Sequence, residues 1–215
     1  MAIQEPYDIL ANWPGWQTSF DPLETGDLSR QKNGVTRTRL GPMPIWRMSV
    51  VSRSLRPNQH DALKSIVQRL VGQQTMILGY SLTRCFPIAY PHGSWPTGSA
   101  FTGRTARVQS IDGNNHALRL DQLPPDFQLS EGDMLQIGQN NLHRVVEAAK
   151  AGALGQTPLF EVYPPFWPGT ATGQVVSVRK PACPMRIVVG SVSAPMDVST
   201  GRGTVSFEAM EARDA

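Results

Sequence analysis

Apolar and polar residues alternate in short runs along most of this chain, and glycine, proline and asparagine separate the runs. Alternation with a period of two predicts half-buried β-strands, and the separating residues are those that form turns. Two such runs, residues 35–40 and 45–51, flank Gly41-Pro42-Met43-Pro44. This pattern predicts an antiparallel pair of strands joined by a short turn.

One segment has the spacing of an amphipathic helix, with apolar residues at i, i+3, i+4 and i+7. The apolar positions of this face are Leu63, Ile66, Val67 and Leu70. Pro57 suits a first helical turn, and Gly72 follows the last apolar residue, where helices commonly end. The spacing predicts a helix over 57–71 that packs on a sheet.

The middle of the chain has two strong hairpin turns, Asp112-Gly113-Asn114-Asn115 and Gly138-Gln139-Asn140-Asn141. Glycine and asparagine tolerate the positive φ angles that tight turns require. The runs that flank these turns are residues 105–111, 116–120, 134–137 and 142–146. With further runs at 160–163 and 174–178, the pattern predicts a compact barrel or sandwich of about six strands.

Dense proline and glycine at 84–103 and 180–184 indicate two crossings into and out of this middle module. The predicted fold is mainly β: a discontinuous outer β domain, a split barrel or sandwich with one packed helix, carries an inserted all-β barrel-like domain. The predicted boundaries are an irregular N-terminal arm over 1–33, the outer domain over 34–98 and 181–215, and the insertion over 99–180. Cys85 and Cys183 each lie beside a crossing, so we expect them to be close in space as reduced thiols.

Charged residues make up 17% of the chain, below the roughly 25% of an ordinary soluble domain. Interfaces deplete lysine and acidic residues at their centres, so this composition favours a surface buried in an assembly. The net charge is +3, but the basic residues are scattered along the sequence. The nearest approach to a cluster is Arg37, Arg39, Arg47 and Arg53, which suits neighbouring strands of a solvated or lumen-facing sheet as well as a nucleic-acid groove.

The chain has no phosphate-loop or dinucleotide motif, and His60, His92, His116 and His143 have no metal-ligand spacing. Asp133, Glu161 and His143 are candidates for a hydrolytic site on one face of the barrel. The alternative is structural: Gly132-Asp133 is common turn chemistry, and the other two belong on the solvent face of strands. We therefore predict a non-enzymatic protein and assign no catalytic, cofactor-binding or metal-binding residue, and no cofactor.

Four aromatic side chains have two open interpretations: stacking on a sugar ring or packing into a core. They are Trp95, Tyr163, Phe166 and Trp167. Prolines hold the last three in an extended segment, which favours packing. Residues 1–16 do not have the pattern of a signal peptide and no run approaches the roughly 18 apolar residues of a membrane span, so we expect synthesis in the cytoplasm without membrane insertion.

Three stretches follow one another in a familiar order: Gly132-Asp133-Met134-Leu135-Gln136-Ile137-Gly138, then Leu142-His143-Arg144-Val145-Val146, then an apolar run that ends at Pro164-Pro165. They resemble tail proteins of long-tailed (siphovirus-like) bacteriophages, a group that includes distal tail and minor tail proteins. Residues 46–51, 70–73 and 207–211 resemble the outer β domain of the same family. The resemblance covers residues 35–211.

The resemblance implies a virion protein of the tail tip: a hexameric ring that joins the tail tube to the hub or tip protein. Its implied partners are its own copies, the tube and hub proteins, the tape-measure protein and tail fibres, with DNA only in transit. We expect residues 205–209 to form an exposed edge, and Trp13 and Trp16 in the arm to contact a neighbouring subunit. The alternatives are another baseplate component with a host-carbohydrate-binding insertion, and a glycan-binding or hydrolytic module unrelated to phages.

Overall fold

The computed structural model describes residues 4–30, 32, 34, 36–96 and 100–212. Over this part the protein is mainly β, with fifteen strands and one α-helix, as the sequence predicts. The strands are β1 (Gly15–Leu23), β2 (Gly26–Arg30), β3 (Thr36–Leu40), β4 (Ile45–Ser52), β5 (Ile77–Gly79), β6 (Ala106–Ile111), β7 (Ala117–Asp121), β8 (Gln128–Leu129), β9 (Met134–Ile137), β10 (Asn141–Val145), β11 (Ala149–Lys150), β12 (Phe160–Tyr163), β13 (Val175–Ser177), β14 (Cys183–Ile187) and β15 (Ser206–Glu211).

The described chain divides into two compact units. The sheet unit comprises residues 4–5, 12–76 and 186–212, and the barrel unit comprises residues 6–11 and 77–185. The barrel unit is thus larger than the predicted insertion of 99–180. Its additional residues are held by backbone pairing, because β5 is antiparallel to the first half of β14 and Tyr7 forms a parallel bridge with Ile77.

In the sheet unit, β4 lies between β1 and β15. Alternate residues of β4 are buried, and Trp46, Met48 and Val50 face the core because a strand points successive side chains to opposite faces. Beyond β15, the Val188 N–H donates to the Glu208 carbonyl at 2.9 Å. Backbone partners on both sides make β15 an internal strand, so the prediction of an exposed edge at 205–209 is wrong.

Two predictions for the first fifty residues are also wrong. β3 pairs with β2, and β4 pairs with β1 and β15, so residues 35–40 and 45–51 do not form a hairpin. The pairing partners explain the difference, because β2 takes the place beside β3 that the sequence assigned to β4, and β1 and β15 occupy both sides of β4. The predicted irregular arm contains β1 and β2; residues 1–3, 31, 33 and 35 lie outside the described part.

The predicted helix is α1 (Pro57–Gly72). It begins at Pro57, and the Gln73 N–H closes its last turn on the Arg69 carbonyl at 3.0 Å. Its buried residues are His60, Val67 and Leu70, whereas Leu63 is half-buried and Ile66 is 40% exposed. The buried face is therefore rotated from the predicted one. The prediction counted apolar residues only, and it omitted His60, which occupies a core position.

In the barrel unit, six strands close a barrel in the order β6–β7–β12–β10–β9–β13. Both predicted hairpins are confirmed: β6 pairs with β7 and β9 pairs with β10. The interior is apolar and includes Val108, Leu118, Leu135, Ile137, Val162 and Val176. Two short strand pairs, β2–β3 in the sheet unit and β8–β11 in the barrel unit, stand apart from the larger sheets. Within the described residues, α1 does not have the length and hydropathy that a membrane-spanning helix requires.

Candidate functional site

Asp133 is fully buried immediately before β9, where both carboxylate oxygens accept backbone hydrogen bonds. The Ile88 N–H donates to Oδ1 at 2.7 Å and the Ser130 N–H donates to Oδ2 at 2.8 Å. Burial raises the pKa of Asp133, and these two hydrogen bonds oppose that rise. The side chain therefore closes the turn before β9 and holds residue 88 beside it, as a structural carboxylate does.

His143 and Glu161 do not complete a catalytic group with Asp133. His143 is buried: its Nδ1 lies 2.8 Å from the Pro164 carbonyl, and its ring contacts Phe166 edge-on, with centroids 4.9 Å apart. The prediction that His143 lies on the solvent face is therefore wrong, because Phe166 covers it. Glu161 is exposed, so the buried histidine and the exposed carboxylate lie on opposite sides of the barrel wall.

The aromatic candidates belong to separate packing arrangements. Trp95 packs with four other aromatic rings, Phe86, Tyr90, Phe101 and Phe127, at centroid distances of 5.2 to 6.3 Å. The Tyr90 hydroxyl also accepts a hydrogen bond from the Gln128 N–H at 2.9 Å. Phe166 is buried against His143, while Tyr163 and Trp167 are half-buried. Packing accounts for Trp95 and Phe166, and the four candidates do not form one sugar-stacking platform.

A polar cluster that the sequence did not suggest lies in the barrel unit, formed by Asp8, Tyr80 and Lys180. The Lys180 ammonium lies 2.5 Å from Asp8 Oδ2, and the Tyr80 hydroxyl donates to Oδ1 at 3.1 Å. The same ammonium lies 4.4 Å from the centre of the Tyr80 ring, within the range of a cation–π contact. These residues are far apart in the sequence, so no local spacing could have indicated the cluster.

The acid–base properties of this cluster favour a structural role. Burial, and then the Asp8 carboxylate, raise the pKa of Tyr80 far above its ordinary value. Burial also raises the pKa of the Cys85 thiol, and Lys180 partly opposes this effect. A neutral phenol and a neutral thiol are weak nucleophiles. Cys85 and Cys183 are both free thiols, and their expected proximity stays a prediction.

The four arginines of the predicted cluster are divided among different elements. Arg47 on β4 forms an ion pair with Glu208 on β15 at 2.7 Å, and Arg53 follows β4. Arg37 and Arg39 lie on β3, opposite Ser29 and Asp27 of β2 respectively. Only the last two share one surface, a hairpin with every described side chain exposed.

An open depression of about 520 Å³ lies at the base of this hairpin. Its lining residues are Thr25, Gly26, Asp27, Arg39, Gly41 and Pro42. The Gly41 N–H donates to the Thr25 carbonyl at 2.7 Å and closes the base. A Cβ at position 41 would lie 2.5 Å from that carbonyl oxygen, so the approach of these two backbone segments requires glycine.

Trp13 does not extend toward a neighbouring molecule. It is buried in its own chain, where its ring contacts Phe207 of β15 edge-on with centroids 5.3 Å apart. The expectation of an intersubunit contact at Trp13 is therefore wrong, because β15 provides an intramolecular partner. The side chain of Trp16 lies outside the described part.

The described residues contain no group of three His, Cys, Asp or Glu side chains placed to hold a metal ion. A scan against models of protein families found no match for this chain, and a search of the curated proteins found none either.

Proposed function

We propose that this protein is a structural, non-enzymatic subunit of the distal end of a bacteriophage tail, where it forms a ring that joins the tail tube to the hub or tip complex. One observation carries the proposal. β4 and β15 pair in one sheet, and all six barrel strands lie between them in the sequence. An outer sheet with a barrel-containing segment inserted into its chain is the architecture that the resemblance implies.

The stretches that carry the resemblance support the same interpretation. They contain β9, β10 and β12, which are consecutive neighbours in the barrel. Gly132 has a φ of 87°, as its motif position before a strand requires, and Asp133 closes the turn. The motif therefore has a physical explanation as a barrel-forming sequence, and it assigns no catalytic group.

We propose β1 as the strand through which subunits pair in the ring. It lies at one end of its sheet and contacts β4 on one side. Gln17, Ser19 and Asp21 are exposed along it, and Pro22 lies in it, as is common for edge strands. A neighbouring subunit that added a strand here would satisfy the backbone groups of the open edge.

The proposed partners are other copies of this chain, the tail tube protein and the hub or tip protein, with the tape-measure protein and tail fibres as further contacts. The proposed location is the virion tail tip, after assembly in the host cytoplasm. DNA would pass through the ring during transit.

Native mass spectrometry and negative-stain microscopy of the purified chain test this proposal together. We expect six-fold rings whose mass is six times the 23.6 kDa of the subunit. A trimer or a monomer attached to fibres would favour another baseplate component, and a monomer that binds glycans on an array would favour a glycan-binding module. Either result would contradict the distal-ring proposal.

A further inference from the structure

The segment that forms the β2–β3 hairpin accounts for the net positive charge of the protein. Residues 26–40 contain Arg30, Lys32, Arg37, Arg39 and the single acid Asp27, a net charge of +3. The whole chain also has a net charge of +3, so the remainder is neutral. Four basic residues that lie within ten positions of the sequence are thus held together on one short element by the pairing of β2 with β3.

This element is also the most exposed strand pair of the sheet unit. Every described side chain of β2 and β3 is exposed, and Leu28 is 73% exposed. Arg30, Arg37 and Arg39 have no ion pair with any residue that the structure describes. A two-stranded ribbon without a third strand is marginally stable alone in water, so a binding partner would stabilise it.

The ribbon carries positive charge on both faces. Because directly paired residues share a face, Arg37 and Arg39 lie with Ser29 and Asp27 on one side. Arg30 lies on the other side, opposite Thr36. Guanidinium groups bind phosphates bidentately, and serine and threonine hydroxyls also donate to phosphate oxygens.

We propose that the β2–β3 hairpin is a nucleic-acid-binding arm that inserts into the major groove of duplex DNA and contacts the phosphates on both sides. The major groove, about 12 Å wide, admits a two-stranded β-ribbon, and arginines on both faces point toward both groove walls. An acidic protein surface fits less well. Protein interfaces have apolar centres, whereas the ten strand positions of the hairpin include two leucines and no aromatic residue.

This inference goes beyond the proposed ring and does not depend on it, because DNA binding is measured in solution whatever the oligomeric state. The probe is a fluorescein-labelled duplex of mixed sequence and about 25 base pairs, titrated by anisotropy between about 50 and 200 mM salt. Three or four phosphate contacts predict a slope of log K against log salt of about −2.7 to −3.6.

The test variant is Arg37→Gln/Arg39→Gln. Losing two phosphate contacts should weaken binding by at least about tenfold and make the slope shallower by about two. The charge-preserving variant Arg37→Lys/Arg39→Lys should retain the slope. The matched control is Arg104→Gln/Arg119→Gln, which removes two exposed arginines from the barrel unit and should bind within about twofold of the unmodified protein.

Three results would each overturn the inference. They are an absence of DNA binding by the unmodified protein at about 50 mM salt, an equal loss in the Arg104/Arg119 control, and displacement of the duplex by poly-L-glutamate of the same charge as effectively as by unlabelled DNA. The last result would identify an acidic protein as the partner. Circular dichroism of each variant checks that the fold is retained.

Discussion

The ammonium group of Lys180 lies 2.5 Å from the carboxylate of Asp8, a residue 172 positions earlier in the chain. Both side chains are mostly buried, with 34% and 26% of their surfaces exposed. The contact fastens residues 6–11 to the segment that follows the last barrel strand. It therefore stabilises the barrel unit through the two parts of its chain that are farthest apart in sequence.

Replacing Lys180 by methionine should lower the unfolding free energy, because Asp8 keeps a largely buried charge without its cation. We expect a loss of about 1–2 kcal/mol, between the values measured for exposed and for buried ion pairs. Urea denaturation measures this change. Lys150→Met is the matched control, since its pair with Asp126, also close at 2.9 Å, is exposed. We expect no measurable change in the unfolding free energy of the control. Equal effects in the two variants would contradict a stabilising role for the Asp8–Lys180 contact.

Asp133→Asn should reduce stability most at low pH. Because the pKa of Asp133 is raised above its ordinary 3.8, the folded protein binds a proton there more readily than the unfolded chain does. The contribution of Asp133 to the unfolding free energy is complete below the ordinary pKa of the unfolded chain. It declines as the pH rises through the raised pKa of the folded protein.

Denaturant unfolding of the unmodified protein and Asp133→Asn, from about pH 3 to pH 7, tests this sign. The unmodified-minus-variant difference in unfolding free energy should fall as pH rises. Glu161→Gln is the control, with an exposed carboxyl group on the same barrel. If this difference in unfolding free energy instead grows with pH, the two hydrogen bonds that Asp133 accepts lower its pKa by more than burial raises it.

Gly41→Ala should open the base of the β2–β3 hairpin. The added Cβ would approach the Thr25 carbonyl to 2.5 Å and break the hydrogen bond that closes the base. We expect the free energy of local opening of the hairpin to fall by about 1.4 kcal/mol. The opened state should then be about tenfold more populated, and tryptic cleavage at the hairpin arginines about tenfold faster.

Limited trypsin digestion followed by mass spectrometry measures this rate. Gly113→Ala is the matched control, since a Cβ at that position meets no described atom within 4 Å. An unchanged cleavage rate in Gly41→Ala would mean that the hairpin does not depend on this closure.

Gln17→Lys/Ser19→Lys should prevent ring formation if β1 is the strand that pairs between subunits. Lysines on an edge strand oppose the addition of another strand, and both positions are exposed, so the cost to the monomer should be small. Native mass spectrometry should show the loss of rings, with Ser65→Lys on α1 as the control. Intact rings from the double variant would exclude β1 as the interface, even if the ring proposal holds.

Local signals made the barrel predictable. The turns Asp112-Gly113-Asn114-Asn115 and Gly138-Gln139-Asn140-Asn141 join strands that are adjacent in both sequence and space, so short-range chemistry decides their pairing. β2 was missed because all five of its residues are exposed, which leaves no alternation to detect.

Long-range pairing was not predictable in the same way. The order β1–β4–β15 is decided by which apolar faces meet, as Trp13 meets Phe207 and Phe20 stacks on Trp46 at 4.9 Å. The Asp8–Lys180 contact likewise depends on the completed fold. The predicted pairing of β3 with β4 groups Arg37 and Arg39 with Arg47 and Arg53. The pairing of β3 with β2 groups them with Arg30 instead.

The pairing of Ser52 with Val205 determines which part of the fold can form first during synthesis. These residues exchange hydrogen bonds across 153 positions, and a ribosome that adds about 5–20 residues per second needs about 8–30 seconds to make that interval. The barrel hairpins emerge meanwhile and close through short loops. We expect chains that end before residue 206 and have been released from the ribosome to contain a protease-resistant barrel and a protease-sensitive β4, so that the outer sheet is completed last.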